Sequence, residues 1–367
     1  MFSFRTTPLI EQSDSVLTHG RLGMLCNQVA WHPDKGEYHF ETLARKWNLV
    51  RLFMPEHSLY GESCPGVELV EIGDSIPMEQ LQDIDALIIE LQDVGSRYCT
   101  ATGTLLKLFY DLHNSGSDIS VYVMDGLNSS GRQVEGTMGV MGLPHRHGLT
   151  FGEIANFFYY ELNAKFHLHI ISAEAEQVNK ELMPWSIPPF SDFAGLFTSH
   201  FYSGQYLWMG TNVSYGHGTT RPFEQFGAPF MEPLYDFNRK NGFKNWNDPN
   251  NPIYDKDLYI RWCRFEPAYG IWKDEVCFGF HLMFIPGGTY HALNHALHCI
   301  RFLREQFPEQ FEYDSLEPIL QDNLLMSYVL GELDWEITGE HIKTEEQKWL
   351  RKVKKYILYG NSPWRVK

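Results

Sequence analysis

No run of about 18 consecutive apolar residues occurs anywhere in the chain, so a membrane-spanning helix is not expected. The opening MFSFRTTPLIEQSDS has no apolar segment of signal-peptide length, and the expected compartment is the cytoplasm. The six cysteines (Cys26, Cys64, Cys99, Cys263, Cys277, Cys299) show no C-x-x-C spacing, which excludes a zinc knuckle and reads as reduced thiols. Basic residues are scarce: 30 Lys and Arg face 46 Asp and Glu, for a net charge of -16. Without a basic stripe there is nothing to neutralise phosphates along a nucleic acid. Also missing are the G-x-x-x-x-G-K-[ST] phosphate loop, a G-x-G-x-x-G turn after a strand, and the G-x-S-x-G nucleophile elbow. Nucleotide-dependent and serine-hydrolase chemistry therefore have no anchor, and no cofactor, metal or membrane partner is expected.

What is present is ample core material, 43% hydrophobic residues in a chain of 367. RLGMLCNQVA, NLVRLFMP, IDALIIELQDVG and ISVYVMDG read as buried strands, while HFETLARKW and YCTATGTLLKLFYDLHNSG carry apolar residues at helical spacing. Apolar strands alternating with helices predict an α/β fold whose parallel sheet is covered on both faces. Thr150 and Glu153 form a capping box that opens a helix closing the first domain. Residues 183 to 290, rich in Pro, Gly and aromatics, read as loops and short strands draped over a site, and the tail becomes helical again. The expected division is a first domain over 1–165 and a second α/β domain over 166–367.

Ligands of an open parallel sheet bind outside the carboxyl ends of its strands. Polar residues collect there: Asn27 after the first strand, Glu56 and His57 after the second, Gln92 and Asp93 after the third, Asp125 and Asn128 after the fourth. Glu56 follows the apolar Met54-Pro55, where a low dielectric would keep its proton available, as a general acid needs; a turn cap or a pair with Arg97 is the plain alternative. Asp93, Arg97 and Tyr98, around the permissive Gly95, could orient a polyol or bind a carboxylate, or could hold their own loop through an internal Asp-Arg pair. His145-x-His147 lacks a carboxylate to complete a metal set, so substrate contact or loop packing is the better reading. The glycine-rich Gly210 to Glu224 stretch reads as a sugar-binding or lid loop.

The ordered motifs Asn27-Gln28, Pro55-Glu56-His57, QDVGSRY (Gln92 to Tyr98), Val134-Glu135-Gly136, HGLT (His147 to Thr150), Gly210-Thr211-Asn212 and GT-x-RPFE-x-x-GAP (Gly218 to Pro229) resemble the exo-β-N-acetylmuramidases of the NamZ type. The resemblance spans the chain from the first strand onward. It implies a Rossmann-like domain carrying the catalytic site, a second α/β domain completing the cleft, and release of terminal N-acetylmuramic acid from the non-reducing end of peptidoglycan fragments. It places the essential glutamate on Glu56 and substrate contacts on Asn27, His57, Arg97, Tyr98, Glu135, His147, Asn212, Arg221 and Glu224, with Asp93 among the cleft motifs.

Several positions depart from the family pattern. PEHG is PEHS with Ser58, DRPNP becomes Asp125-Gly126-Leu127-Asn128-Ser129, Met209 stands where a glutamate precedes GTN, and SEGRGT reads Ser214-Tyr215-Gly216-His217-Gly218-Thr219. These changes alter the substrate walls and leave Glu56 in place. In the expected reaction Glu56 protonates the leaving oxygen, while Asp93 or Glu135 activates water or steadies the cationic transition state; alternatively the sugar's acetamido group attacks. The lactyl carboxylate of muramic acid calls for a cation, Arg97 or Arg221. A competing reading is a non-catalytic amino-sugar or muropeptide binder that kept the cleft.

Overall fold

All five residues of Leu22–Cys26 are buried, as are those of Ala86–Glu90 and Ser120–Met124. Strands apolar on both faces must be covered on both, the condition of a parallel sheet between helices. The computed structural model, which describes residues 14–33, 35–55, 63–171, 187–193, 195–240, 246–285 and 289–359, meets it. Glu56, His57 and Ser58 lie outside the described residues.

Numbered in chain order, the strands of the first half are β1 (Leu22–Cys26), β2 (Trp31–His32), β3 (Glu37–Tyr38), β4 (Leu49–Pro55), β5 (Glu68–Ile72), β6 (Ala86–Glu90), β7 (Ser120–Met124) and β8 (His167–Ile171). Six of them form one sheet in the order β5-β4-β1-β6-β7-β8, every neighbouring pair parallel, and β2 with β3 makes a small antiparallel ladder. From β1 the chain steps outward to β4 and β5, then returns across β1 to β6, β7 and β8. This is the Rossmann-like arrangement expected from the sequence, and its topological switch point lies between β1 and β6.

The sequence reading did not single out β5 or β8, the two edges of the sheet. Both mix exposed and covered residues, so they lack the apolar run that marked the inner four. Because β8 pairs with β7, the first sheet continues past residue 165. The helix Thr100–Ser115 stops at Gly116, whose φ of 65° is the left-handed conformation glycine adopts without strain. Thr150 and Glu153 form the expected reciprocal cap on the helix Phe151–Glu161.

The second half is built on an antiparallel sheet, β10-β11-β9, with β9 (Gln225–Ala228), β10 (Leu258–Phe265) and β11 (Cys277–Phe284). Two of these strands are eight residues long, where short strands and loops were expected. Trp208, Phe226, Trp262 and Phe280 pack with Leu293, Leu297, Ile300 and Leu303 of the helix Ala292–Gln306 to form its core. Among the described residues no helix is long and apolar enough to cross a membrane, and no group of three or more His, Cys, Asp or Glu could hold a metal ion.

The last long helix, Trp335–Val353, returns to the first half. Trp349 is fully buried there, meeting Phe157 edge to face at 5.2 Å and donating its indole N–H to the His147 carbonyl at 2.9 Å. Trp349→Ala leaves a cavity and an unpaired carbonyl together, and is expected to lower stability by about 3–5 kcal/mol. Urea unfolding followed by tryptophan fluorescence measures the loss.

Candidate active site

The carboxyl ends of β1 and β6 diverge at the switch point, and a cavity of about 1000 Å³ opens there. Its floor comes from residues just past the strands: Asn27 and Gln28 after β1, Leu91 and Gln92 after β6, and Pro55 at the end of β4. One wall is the start of the helix Thr100–Ser115, with Cys99, Thr100 and Thr104. The facing wall is the segment Ile187 to Phe193 with Tyr202, and the second half closes the rim with His217 and Tyr269. Gln28 ties floor to wall, its side-chain amide donating to the carbonyls of Pro188 (3.1 Å) and Pro189 (2.6 Å). Asn27 stays beneath the cavity because its side-chain oxygen accepts from the backbone N–H of Val29, capping the short turn after β1.

No Asp, Glu, Lys or Arg lines the cavity among the described residues. Cys99 supplies a thiol, but burial, with the Asp93 charge beside it, pushes its pKa well up, so it stays protonated and a poor nucleophile. Tyr202 is likewise held neutral by burial.

Several residues expected at the site serve the framework around it instead. Asp93 does not line the cavity. One of its oxygens accepts from the Gly95 N–H and the other from the Thr102 hydroxyl at 2.5 Å. His147 Nε2 lies 3.0 Å from Asp93 Oδ1, too bent for an aligned hydrogen bond. His147 Nδ1 accepts from the Leu149 N–H, which leaves the ring proton on Nε2, facing the carboxylate. Asp93 and His147 thus pin two loops together.

Glu135 is fully buried and crowded with donors. Arg146 reaches it at 2.8 Å, Ser203 at 2.9 Å and the Leu293 N–H at 3.2 Å. Burial pushes this carboxyl up, but the charges of His291 and Arg146 outweigh that and hold its pKa below the usual range. Arg97 is spent on carbonyls: Thr137 at 3.0 Å, then Ile319 (2.8 Å) and Leu320 (2.9 Å) at the end of the helix Leu316–Leu320. That is neither the internal Asp-Arg pair nor the anion site considered from sequence. Tyr98 stacks on Tyr206 at 4.2 Å, with its hydroxyl 2.5 Å from His145 Nδ1. Asn212 clamps Gln310 and Glu312, and the exposed Arg221 reaches Glu224, which accepts from Thr198.

Of the expected contacts, the structure therefore brings Asn27 to the cavity, while Asp93, Arg97, Tyr98, Glu135, His147, Asn212, Arg221 and Glu224 are not part of its lining. Sequence reasoning missed the wall Ile187-Pro188-Pro189-Phe190. Apolar residues and prolines carry no chemical signature, although the draped-loop reading of residues 183 to 290 covered them.

Glu135 also belongs to a titrating junction. His291 lies 3.9 Å from Glu135 and 2.8 Å from Glu346 of the helix Trp335–Val353. Burial alone would lower the His291 pKa, but the two carboxylates outweigh it and raise it. A raised histidine stabilises the fold fully below its unfolded value of about 6.5, and that stability is lost as pH rises through the folded value. The stability difference between wild type and His291→Gln, from urea midpoints, is expected to be largest in mild acid and to shrink toward alkaline pH. A difference that grows with pH would contradict the assignment.

Two family models cover the chain: exo-beta-N-acetylmuramidase NamZ, N-terminal, over residues 22–189, and its C-terminal counterpart over residues 200–359. The peptidoglycan beta-N-acetylmuramidase NamZ of Bacillus subtilis (strain 168) is 24% identical over 343 residues, an alignment covering 85% of this chain and 80% of that protein. Two crystal structures of DUF1343 family proteins from Bacteroides fragilis share the fold. One superposes with a TM-score of 0.79 at 21% identity, covering 96% of this chain and 97% of its own. The other gives 0.72 at 20% identity, covering 94% and 95%.

Proposed function

The chain belongs to the exo-β-N-acetylmuramidase NamZ family, and from that membership we infer that it is a glycoside hydrolase releasing terminal N-acetylmuramic acid from the non-reducing end of peptidoglycan fragments. The observation that carries the reading to this molecule is the cavity of about 1000 Å³ at the switch point, large enough for a sugar and walled by both halves of the chain. Its described lining holds no carboxylate, yet Pro55 is part of that lining and Glu56 follows it in sequence. Glu56 is the general acid in this reading, with His57 beside it on the substrate.

Asp93 and Glu135 already have their oxygens occupied by chain donors. Attack by the sugar's own acetamido group, which needs no second carboxylate, is the route this favours. Asp93 then acts by positioning the loop between floor and wall. We propose a domain boundary later than residue 165, a reading supported by the gap between the two family models, one ending at residue 189 and the other beginning at 200. A cytoplasmic role in recycling wall fragments completes the proposal and accords with six unpaired cysteines.

Incubating the protein with a muramic-acid-terminated disaccharide, and following the products by mass spectrometry and proton NMR, tests it. Free N-acetylmuramic acid appearing first as the β anomer is the expected result. Binding without release would identify a sensor, and initial release of the α anomer would exclude the acetamido route.

A further inference from the structure

We propose that His217, backed by Asp192, is the cation that reads the carboxylate of the substrate, a role that Arg97 and Arg221 do not fill. The inference rests on the muramidase reading and names the part of that site that selects an anionic sugar. Arg97 is buried against three carbonyls and Arg221 lies on the surface against Glu224, and neither lines the cavity. Among the described lining residues, His217 is the one able to carry a positive charge near neutrality.

Its setting is built for a directed contact. Nδ1 is buried, 2.9 Å from Asp192 Oδ2 and bent away from a straight hydrogen bond. The ring is 29% exposed and lines the cavity, which leaves Nε2 as the nitrogen available to a ligand. Tyr215 stacks on the ring at 5.4 Å and Tyr269 meets it edge-on at 4.7 Å. A Cβ at Gly270 would come within 2.8 Å of His217 Cδ2, so the glycine there makes room for the ring. The titratable groups facing His217 are Asp192, Tyr215 and Tyr269. Burial pushes Tyr215 up to about 12, which keeps it neutral. An imidazole stacked on Tyr215, met edge-on by Tyr269 and with Asp192 beside its other nitrogen, offers one N–H in one direction. That suits a lactyl carboxylate and gives nothing to a neutral sugar at the same position.

Calorimetry with N-acetylmuramic acid and with N-acetylglucosamine, which lacks the lactyl group, tests this on the full chain as wild type, His217→Gln and His217→Arg. Wild type is expected to prefer the muramic sugar. His217→Gln should lose about 10- to 100-fold in affinity for N-acetylmuramic acid, the worth of one charge-assisted hydrogen bond, and little for N-acetylglucosamine. His217→Arg should recover the affinity, which also shows that the fold tolerates change at this position. On a chromogenic muramide, His217→Gln should raise KM while kcat stays within about twofold.

Equal losses for both sugars, an unchanged affinity, or a fall in kcat at constant KM would overturn the proposal; the last would make His217 a base. If wild type discriminates through His217 but cleaves nothing, the hydrolase reading fails and this one stands. If it cleaves muramides and the His217 variants bind as wild type does, the reverse holds.

Discussion

Glu56→Gln is expected to reduce kcat on a chromogenic N-acetylmuramide by about 10²- to 10⁴-fold, the usual contribution of a positioned general acid, while leaving N-acetylmuramic acid binding within a few-fold of wild type. The amide keeps the size and polarity of the carboxyl but cannot give a proton to the leaving oxygen. A substrate with a good leaving group, such as a dinitrophenyl glycoside, needs that proton less, and the variant should be much less impaired on it. This leaving-group dependence separates acid catalysis from a structural role, because a misfolded or misaligned site would fail equally on both. A variant that hydrolyses the unactivated disaccharide at the wild-type rate would remove Glu56 from the mechanism.

A second large expected effect, on stability, falls on Arg146. Its guanidinium is 2% exposed, paired with the fully buried Glu135, bonded to the Ser130 carbonyl and 3.3 Å from His200. Arg146→Met keeps much of the volume but strands a charged carboxylate in the interior, a change that costs about 3–5 kcal/mol. Pairing it with Glu135→Gln removes the stranded charge and should return a substantial part of the loss, a coupling that a double-mutant cycle in urea measures. If the two changes simply add, the pair is not the unit described above.

How much of this was legible in the sequence depended on which face of each residue mattered. The inner strands β1, β4, β6 and β7 were evident because burial on both sides leaves continuous apolar runs. The edge strands β5 and β8 were not, since an edge is half solvated and its polar residues break the pattern. Strands β10 and β11 were hidden by Arg261, Arg264 and His281 within otherwise apolar stretches.

At the candidate site, sequence pointed to the edge of the sheet where the cavity lies but could not tell a carboxylate turned to the ligand from one turned to its own loop. Asp93 and Glu135 sit where a catalytic residue would, and the backbone N–H groups that occupy them leave no trace in residue types. Arg97 was equally ambiguous, since the carbonyls that hold it, at Ile319 and Leu320, are over 200 positions away. His217 drew notice as part of the glycine-rich stretch and as a departure from a motif, while the Asp192 carboxylate beside it is visible only in the structure.

The hydrogen bond from Trp349 to the His147 carbonyl bears on when the protein becomes competent during synthesis. The loop carrying His147, and through it Asp93, receives its final prop from a helix translated 202 positions later. A nascent chain halted before that helix has the six strands of the large sheet but no completed brace beneath the pocket, so clipped or stalled products should be inert.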